Sequence, residues 1–124
     1  MDPQPLARDV MTGTVISVAP DTTVRSVCTL MREHEIGAVP IVDVMGRVLG
    51  LVTDRDIVVR AIAARRDIDR IHAGDIMSIG IECARPDTPV TGLAEKMARY
   101  RVRRIPVVDE NEHLVGIVSR DDLI

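Results

Sequence analysis

The sequence contains the stretch Gly50-Leu51-Val52-Thr53-Asp54-Arg55-Asp56-Ile57, and a second version, Gly116-Ile117-Val118-Ser119-Arg120-Asp121-Asp122-Leu123, lies near the C-terminus. Each version begins with an apolar run typical of a strand. It then reaches a hydroxyl residue, Thr53 or Ser119, of the type favoured at the N-cap of a helix. Each version therefore predicts a strand that is followed directly by a helix. We call the junction between the strand and the helix a corner.

An acidic residue stands three positions after each hydroxyl, Asp56 in the first corner and Asp122 in the second. This spacing completes a capping box. A helix start also presents free N–H groups and the positive end of the helix dipole, so two corners predict a paired cleft for an anion or a polar ligand. The same residues also stabilise a helix start by about 1 kcal/mol without any ligand, and the pattern leaves both roles open.

The repeat extends beyond the corners, since residues 9–58 align with residues 75–124 at one constant offset and without a gap. An internal repeat of this kind predicts two copies of one structural unit. We expect repeat 1 at residues 9–66, a linker at 67–74 in which Gly74 is the break, and repeat 2 at 75–124, with a closing helix truncated at Ile124. Residues 1–8 read as a lead-in that contains proline.

Each copy is predicted to contain a strand, a helix, two strands and a closing helix. The first strands are expected at residues 15–18 and 81–84, and the helices that follow are capped by Thr22 and Thr88, with Pro89 at N1. The next strands, 39–43 and 105–109, carry a proline at their entry. In repeat 1 the closing helix should run from Asp54 to about Arg66, with Arg60 and Arg65 near its C-terminus, where cations suit the dipole. Met31 and Met97 lie on the apolar faces of the long helices and are expected in the core.

A unit of about 50 residues buries too little apolar surface to be stable alone. We therefore expect an α+β fold in which two pseudo-symmetric β-α-β-β-α repeats pack sheet to sheet, with both corners opening on a central cleft.

Composition excludes several classes of protein. The chain has 124 residues, 28% charged and 46% hydrophobic, with a net charge of −3, which argues against a nucleic-acid binder with a broad cationic face. Tyr100 is the one aromatic residue, so a bound base has no aromatic stacking platform. No apolar run reaches the roughly 18 residues of a membrane span. The N-terminus lacks the features of a signal peptide, and a cytoplasmic protein with reduced thiols at Cys28 and Cys83 is expected.

Catalytic and metal sites are not indicated. His34, His72 and His113 are scattered and fit no metal-ligand spacing. Asp54 and Asp56 diverge on the first turn of a helix, and no nucleophile stands with a base and an orienting group. We therefore predict neither an enzyme nor a metal site.

The doubled pattern of Asp-Val/Ile-Met, Pro-Asp-Thr, aliphatic-Pro-aliphatic-Val-Asp and Gly-aliphatic-Val-Thr/Ser-x-x-Asp resembles the CBS domain, which is named for cystathionine β-synthase. A tandem pair is known as a Bateman module, and the resemblance covers residues 9–124. The segments 31–40 and 51–58 look most like those of small stand-alone bacterial CBS-pair proteins of the hypoxic-response type. The resemblance implies a non-catalytic regulatory module, commonly a homodimer, that binds AMP, ADP, ATP, S-adenosylmethionine or sometimes NAD between its repeats.

The resemblance also implies roles for single residues. Thr53 with Asp56, and Ser119 with Asp122, would contact the ribose and its neighbouring phosphate. Arg103 and Arg104 would bind phosphate, whereas repeat 1 has Gly37-Ala38 at those positions. The adenine pockets would be formed by two groups of residues, Val15, Ile16, Val39 and Pro40 in one, and Ile81, Glu82, Ile105 and Pro106 in the other.

Two further readings stay open. The repeats fit a ligand-free module for dimerisation or interaction, and they also fit a regulatory fragment of a larger enzyme or transporter. Each reading requires a downstream partner protein that the sequence does not identify, and none requires nucleic acid or a membrane.

Overall fold

The structure, a computed structural model, describes residues 3–124, and Met1 and Asp2 lie outside the described residues. The chain divides into two compact units. Unit 2 comprises Ile16–Ile81, and unit 1 combines Met1–Val15 with Glu82–Ile124. Each unit contains helices and one two-stranded antiparallel sheet, so the predicted α+β class is confirmed.

The helices and strands follow one another in the same order in both halves of the chain. In chain order they are α1 (Ala7–Val10), α2 (Val24–His34), β1 (Ala38–Val42), β2 (Val48–Thr53), α3 (Asp54–Asp56) continuing as a π-helix (Ile57–Ile62), α4 (Ala73–Ile76), α5 (Val90–Tyr100), β3 (Arg104–Val108), β4 (Leu114–Ser119) and a 3-10 helix (Arg120–Leu123).

The core of unit 2 lies between its sheet and its helices. β1 pairs with β2 in a register that places Pro40 opposite Leu51. Residues from α2, the π-helix and α4 reach this core, and Met31 packs against it as predicted. Its buried members are Val24, Val27, Val39, Ile41, Val52, Ile57, Ala61, Ala73 and Ile76.

Unit 1 repeats this arrangement with its own residues. β3 pairs with β4, and Pro106 lies opposite Ile117. Met97 is buried as predicted. The buried members of this core are Ala7, Ala84, Leu93, Met97, Ile105, Val107 and Val118.

The short helices α1 and α4 were not predicted. Ala7 begins α1 inside the expected lead-in, and Gly74, expected to break the chain, lies within α4. Both helices contribute buried residues to a core, namely Ala7 in unit 1 and Ala73 and Ile76 in unit 2. They form because burial of these small and aliphatic side chains outweighs the weak propensity of such a short segment for helix.

The two predicted first strands are wrong. Residues 15–18 and 81–84 make one bridge each, from Val18 to Ile41 and from Ala84 to Val107. At the first bridge the Val18 N–H donates to the Pro40 carbonyl (3.1 Å) and the Val18 carbonyl accepts from the Val42 N–H (2.9 Å). The next pair of a parallel ladder would need an N–H from Pro40, which has none. Pro106 ends the second ladder in the same way.

Three predicted helix boundaries also need correction. Thr23, not Thr22, caps α2, because the Thr23 Oγ1 accepts the Ser26 N–H (3.2 Å). Pro89 is the N-cap of α5 rather than N1, and the Thr88 Oγ1 accepts the Arg85 N–H (2.9 Å) in the preceding turn instead.

The first closing helix ends at Ile62 rather than near Arg66. The turn that follows the helix ends at Arg65, which has a left-handed φ of 59°. The Arg66 N–H then donates back to the Ala61 carbonyl (2.9 Å), a bond typical of a helix C-terminus. Arg65 and Arg66 therefore follow the helix and do not lie in its last turn.

Candidate functional site

The first corner is a complete capping box, as predicted. The Thr53 N–H donates to Oδ2 of Asp56 (2.9 Å), and the Asp56 N–H donates to Oγ1 of Thr53 (3.1 Å). These reciprocal bonds hold the start of α3 at the end of β2.

The free N–H groups that were expected at this helix start are engaged inside the protein. The Asp54 N–H donates to the Gly37 carbonyl (2.9 Å). The Arg55 N–H donates to Oδ1 of Asp54 (2.8 Å), and the Asp56 N–H is bonded to Thr53. The first turn of α3 therefore offers no unpaired donor to an anion, because the neighbouring loop and the cap side chains satisfy it.

The carboxylate of Asp56 has further partners that were not predicted. Its Oδ1 accepts a hydrogen bond from the Ser78 hydroxyl (3.4 Å) and lies 3.9 Å from Nε of Arg60. Its side chain is only 12% exposed. The i,i+4 spacing of Asp56 and Arg60 was a local signal for this pair, whereas Ser78 is distant in sequence and gave no signal.

The second corner has fewer contacts. The Ser119 N–H donates to Oδ2 of Asp122 (2.7 Å), and the Arg120 N–H donates to the Arg103 carbonyl (2.7 Å). Ser119 occupies the N-cap as predicted, but its hydroxyl makes no capping bond. The residue Asp122 is exposed. The carboxylate of this corner thus faces solvent with one internal hydrogen bond.

The arginines of unit 1 lie beside this corner. Arg104 is the first residue of β3 and pairs with Ser119 across the sheet. Arg103 is exposed and lines a cavity of about 470 Å³ together with Arg101 and Arg120. The remaining lining residues are Ala94, Met97, Ala98, Val102, Leu123 and Ile124. Three arginines and several apolar residues line this cavity, which suits a ligand that combines an apolar body with negative charge.

The predicted adenine contacts divide into buried and half-buried residues. Val39, Pro40, Ile105 and Pro106 are fully buried. The carbonyls of the two prolines accept from the Val18 and Ala84 N–H groups. These strand residues therefore act in core packing.

Val15, Ile16, Ile81 and Glu82 are half-buried. The boundary between the compact units falls between Val15 and Ile16, and again between Ile81 and Glu82. Unit 1 thus holds Val15 and Glu82 together with the second corner, and the Glu82 carboxylate lies 3.6 Å from Nζ of Lys96.

The two thiols are free and partly buried. Burial raises the pKa of Cys28, and it also raises the pKa of Cys83, to which the nearby carboxylates of Glu112 and Glu82 add. Both side chains are therefore protonated at neutral pH and weakly nucleophilic.

Within residues 3–124, no group of three or more His, Cys, Asp or Glu side chains is arranged to hold a metal ion. No helix in this part of the chain is both long and apolar enough to cross a bilayer.

Comparison with known proteins identifies the family. The model of the CBS domain matches the chain twice, at residues 7–62 and 73–124. The chain belongs to the CBS domain family. This CBS pair is 37% identical over 116 residues to the CBS domain-containing protein YhcV of Bacillus subtilis, covering 94% of this chain and 81% of YhcV. It is also 37% identical over 117 residues to Hypoxic response protein 1 of Mycobacterium tuberculosis, with the same two coverages of 94% and 81%.

Solved structures of CBS pairs share the fold. The crystal structure of Hypoxic Response Protein I with two coordinated zinc ions matches with a TM-score of 0.88 and 36% identity, covering 96% of both chains. The CBS domain pair of protein MJ0100, in complex with 5′-methylthioadenosine and S-adenosyl-L-methionine, matches with a TM-score of 0.87 and 29% identity, covering 98% of this chain and 94% of that one.

A third structure belongs to a larger protein. The cytosolic domain of the Mg²⁺ channel MgtE in complex with ATP matches with a TM-score of 0.81 and 32% identity. The match covers 95% of this CBS pair and 47% of the MgtE chain. The predicted resemblance to CBS pairs of the hypoxic-response type is confirmed by these matches.

Proposed function

We propose that this CBS pair is a regulatory sensor that binds an adenosine-containing ligand at its corners, Thr53–Asp56 and Ser119–Asp122. The observation that carries the proposal is the exposed carboxylate of Asp122, which accepts one internal hydrogen bond, from the Ser119 N–H. Ser119 itself pairs with Arg104 across the sheet. A carboxylate in this state accepts hydrogen bonds from the two vicinal hydroxyls of a ribose. The related CBS pair of MJ0100 binds S-adenosyl-L-methionine, and the cytosolic domain of MgtE binds ATP.

The arginines favour a nucleotide over S-adenosylmethionine. Arg103 and Arg104 are proposed to bind phosphate. Arg101 and Arg120, which line the same cavity as Arg103, would add positive charge. A phosphate carries more negative charge than the methionyl group of S-adenosylmethionine, whose sulfonium is itself a cation, so AMP, ADP and ATP suit these groups better.

The base is proposed to lie against half-buried aliphatic groups, since Tyr100 is the one aromatic residue of the chain. Val15 and Ile16 would serve one site, and Ile81 and Glu82 the other. The buried strand residues Val39, Pro40, Ile105 and Pro106 would hold these contacts in place from behind.

The sensor is proposed to act without catalysis. The ligand shifts the equilibrium between two conformations of the CBS pair only as far as its affinities for them differ. A partner protein detects this shift. We propose a homodimer as the working state and the cytoplasm, where adenine nucleotides are abundant, as its location.

Thermal unfolding tests the proposal. A ligand at about 100 times its Kd stabilises the folded state by roughly 2.7 kcal/mol, which for a chain of this size raises Tm by several degrees. We expect this rise with AMP or ATP, and its loss in Asp122→Asn. Asp121→Asn is the matched control, because Asp121 is the exposed neighbour of Asp122 and has no assigned contact with the ligand. No rise with AMP, ATP or S-adenosylmethionine at millimolar concentration contradicts the proposal.

One observation favours a second candidate function, a ligand-independent dimerisation module. The π-helix of unit 2 exposes the apolar side chains of Val58, Val59 and Ile62. A tight dimer that is indifferent to nucleotides in light scattering would select this function. The third possibility is a regulatory part of a larger enzyme or transporter. The finding that this chain is part of a longer protein, as the similar domain is part of MgtE, would support it.

A further inference from the structure

We infer that two patches of opposite charge set the orientation of the homodimer, so that unit 1 of one copy meets unit 2 of a second copy. This inference rests on the homodimer of the proposed function and adds to it the two surfaces that meet. Three residues define each patch: Arg99, Arg101 and Arg120 form the basic patch of unit 1, and Glu33, Glu35 and Asp54 form the acidic patch of unit 2.

The charges that both copies of the repeat carry divide into two groups. At four pairs of equivalent positions the two charges have the same sign, namely Asp9/Asp75, Asp21/Asp87, Asp43/Asp109 and Asp56/Asp122. The carboxylates of three of these pairs accept backbone N–H bonds, so local structure requires them. At four other pairs the sign is reversed between the copies, namely Glu33/Arg99, Glu35/Arg101, Asp54/Arg120 and Arg55/Asp121.

The reversed charges lie together in each unit. The Asp54 N–H donates to the Gly37 carbonyl (2.9 Å), two residues after Glu35 at the end of α2. The equivalent bond in unit 1 joins the Arg120 N–H to the Arg103 carbonyl (2.7 Å), two residues after the end of α5. The same contact therefore gathers three negative charges in unit 2 and three positive charges in unit 1.

Both patches are available to a partner. All six of their residues are exposed. Within residues 3–124 none of the six takes part in an ion pair. Arg55 borders the acidic patch and Asp121 borders the basic one, and these two charges are also of opposite sign. The two patches thus complement each other at their borders as well.

Two-fold symmetry turns this complementarity into a choice of orientation. In a two-fold dimer each contact occurs twice, because both copies use the same surface. If unit 1 meets unit 2 of the second copy, opposite charges face each other, whereas two copies of the same patch would bring like charges together. Complementary charge suppresses the wrong arrangement and fixes register.

The charges are expected to supply specificity more than affinity, because exposed ion pairs contribute little. Apolar burial has to supply the rest. Val58 and Val59, which follow Asp54 in the same helical segment, are exposed and suited to that burial.

Sedimentation equilibrium without nucleotide, at about 0.05 M salt, tests the inference by reversing charges. Glu33→Arg with Glu35→Arg should raise the Kd of the dimer roughly tenfold or more, because like charges then face each other. Arg99→Glu with Arg101→Glu should do the same. All four changes together exchange the signs of the two patches and should return the Kd to within about threefold of wild type.

The matched control is Asp21→Arg with Asp87→Arg. It changes the net charge as much as the reversal of the two glutamates does, at exposed positions outside the patches, and should leave the Kd within about threefold of wild type. At about 0.5 M salt the effects of the reversals should shrink, since exposed charges are screened.

Circular dichroism checks that each variant is folded. Glu33→Arg, Arg99→Glu and their combination replace any double variant that is not. A monomeric wild type, an unchanged Kd in the reversed variants, or a combined variant that stays as weak as its parents overturns the inference. Nucleotide binding is measured separately, so a monomer that binds AMP contradicts only the orientation, and a charge-dependent dimer that binds no nucleotide contradicts only the sensor.

Discussion

The sulfur of Met77 packs against the bare Cα of Gly50, and a Cβ added to Gly50 would stand 2.8 Å from that sulfur and 2.7 Å from the Ser78 carbonyl. Met11 occupies the same place against Gly116 in unit 1. A methionine follows each of the short helices, Met11 after α1 and Met77 after α4, and packs against a glycine in the middle of a strand. Glycine is required at both positions because the methionine side chain approaches its Cα too closely for a Cβ. The backbone conformation does not require it, since neither position has a left-handed φ.

Gly50→Ala should therefore destabilise the fold. The added methyl group meets a backbone carbonyl that cannot move without disturbing the Leu51–Ser78 bridge, and overpacking of this kind costs about 1–3 kcal/mol. Urea unfolding measures the loss. Gly13→Ala is the matched control, because a Cβ at Gly13 meets nothing within 4 Å. Equal stability of both variants would show that the Met77 contact is not tight.

The stability of the fold should decline in acid through two loop aspartates. The pKa of Asp43 is lowered chiefly by the Arg47 backbone N–H, and the pKa of Asp109 chiefly by the His113 backbone N–H. A depressed pKa in the folded state contributes stability that is present above the ordinary value of 3.8 and is lost as the pH falls through the folded pKa.

Urea unfolding between pH 7 and about pH 2 measures this dependence. The double variant Asp43→Asn, Asp109→Asn should show a smaller loss of stability below about pH 4 than wild type, since it no longer has these two carboxylates to protonate. Parallel pH profiles of the two proteins would exclude the loop aspartates as the cause.

Glu35→Gly should stabilise the protein. Glu35 ends α2 with a left-handed φ of 52°, which strains a residue that has a Cβ. Relief of that strain should add about 0.5–1 kcal/mol to the free energy of unfolding. His34→Gly, one residue earlier and inside the helix, should instead lower it by a similar amount, and thermal unfolding should separate the two variants in opposite directions.

The apolar face of the π-helix should carry a self-association surface. Val58, Val59 and Ile62 are 58%, 50% and 55% exposed, and such a contiguous patch favours burial against a partner. Ile62→Asp should shift the protein towards monomer in light scattering. Val44→Asp, at a fully exposed loop position, should leave the association state as it is, and a wild-type protein that is already monomeric would refute this role for the patch.

The features that follow from short-range spacing were predictable from the sequence. The capping box of Thr53 and Asp56 depends on two residues three positions apart, and the same pattern locates the end of β2. The missing first strands were not predictable from the apolar pattern alone. Their ladders stop at Pro40 and Pro106 only because those prolines are the residues that would have to donate.

Contacts between distant segments account for what was missed in the candidate site. Arg60 was interpreted as a cation that suits the helix dipole, and its role depends on carbonyls 16 and 17 residues further along the chain. The change to π-helical geometry after Asp56 and the burial of α4 determine that those groups meet. Neither is encoded in a local motif.

The proposed sensor function depends most on hydrogen bonds from the hydroxyls of a ribose to Asp122. Its most direct test compares the affinity of wild type for AMP and for 2′-deoxy-AMP by titration calorimetry. We expect 2′-deoxy-AMP to bind roughly tenfold or more weakly, the cost of one hydrogen bond to a charged group, and Asp122→Asn to reduce this difference. Equal affinity of wild type for the two nucleotides would contradict it.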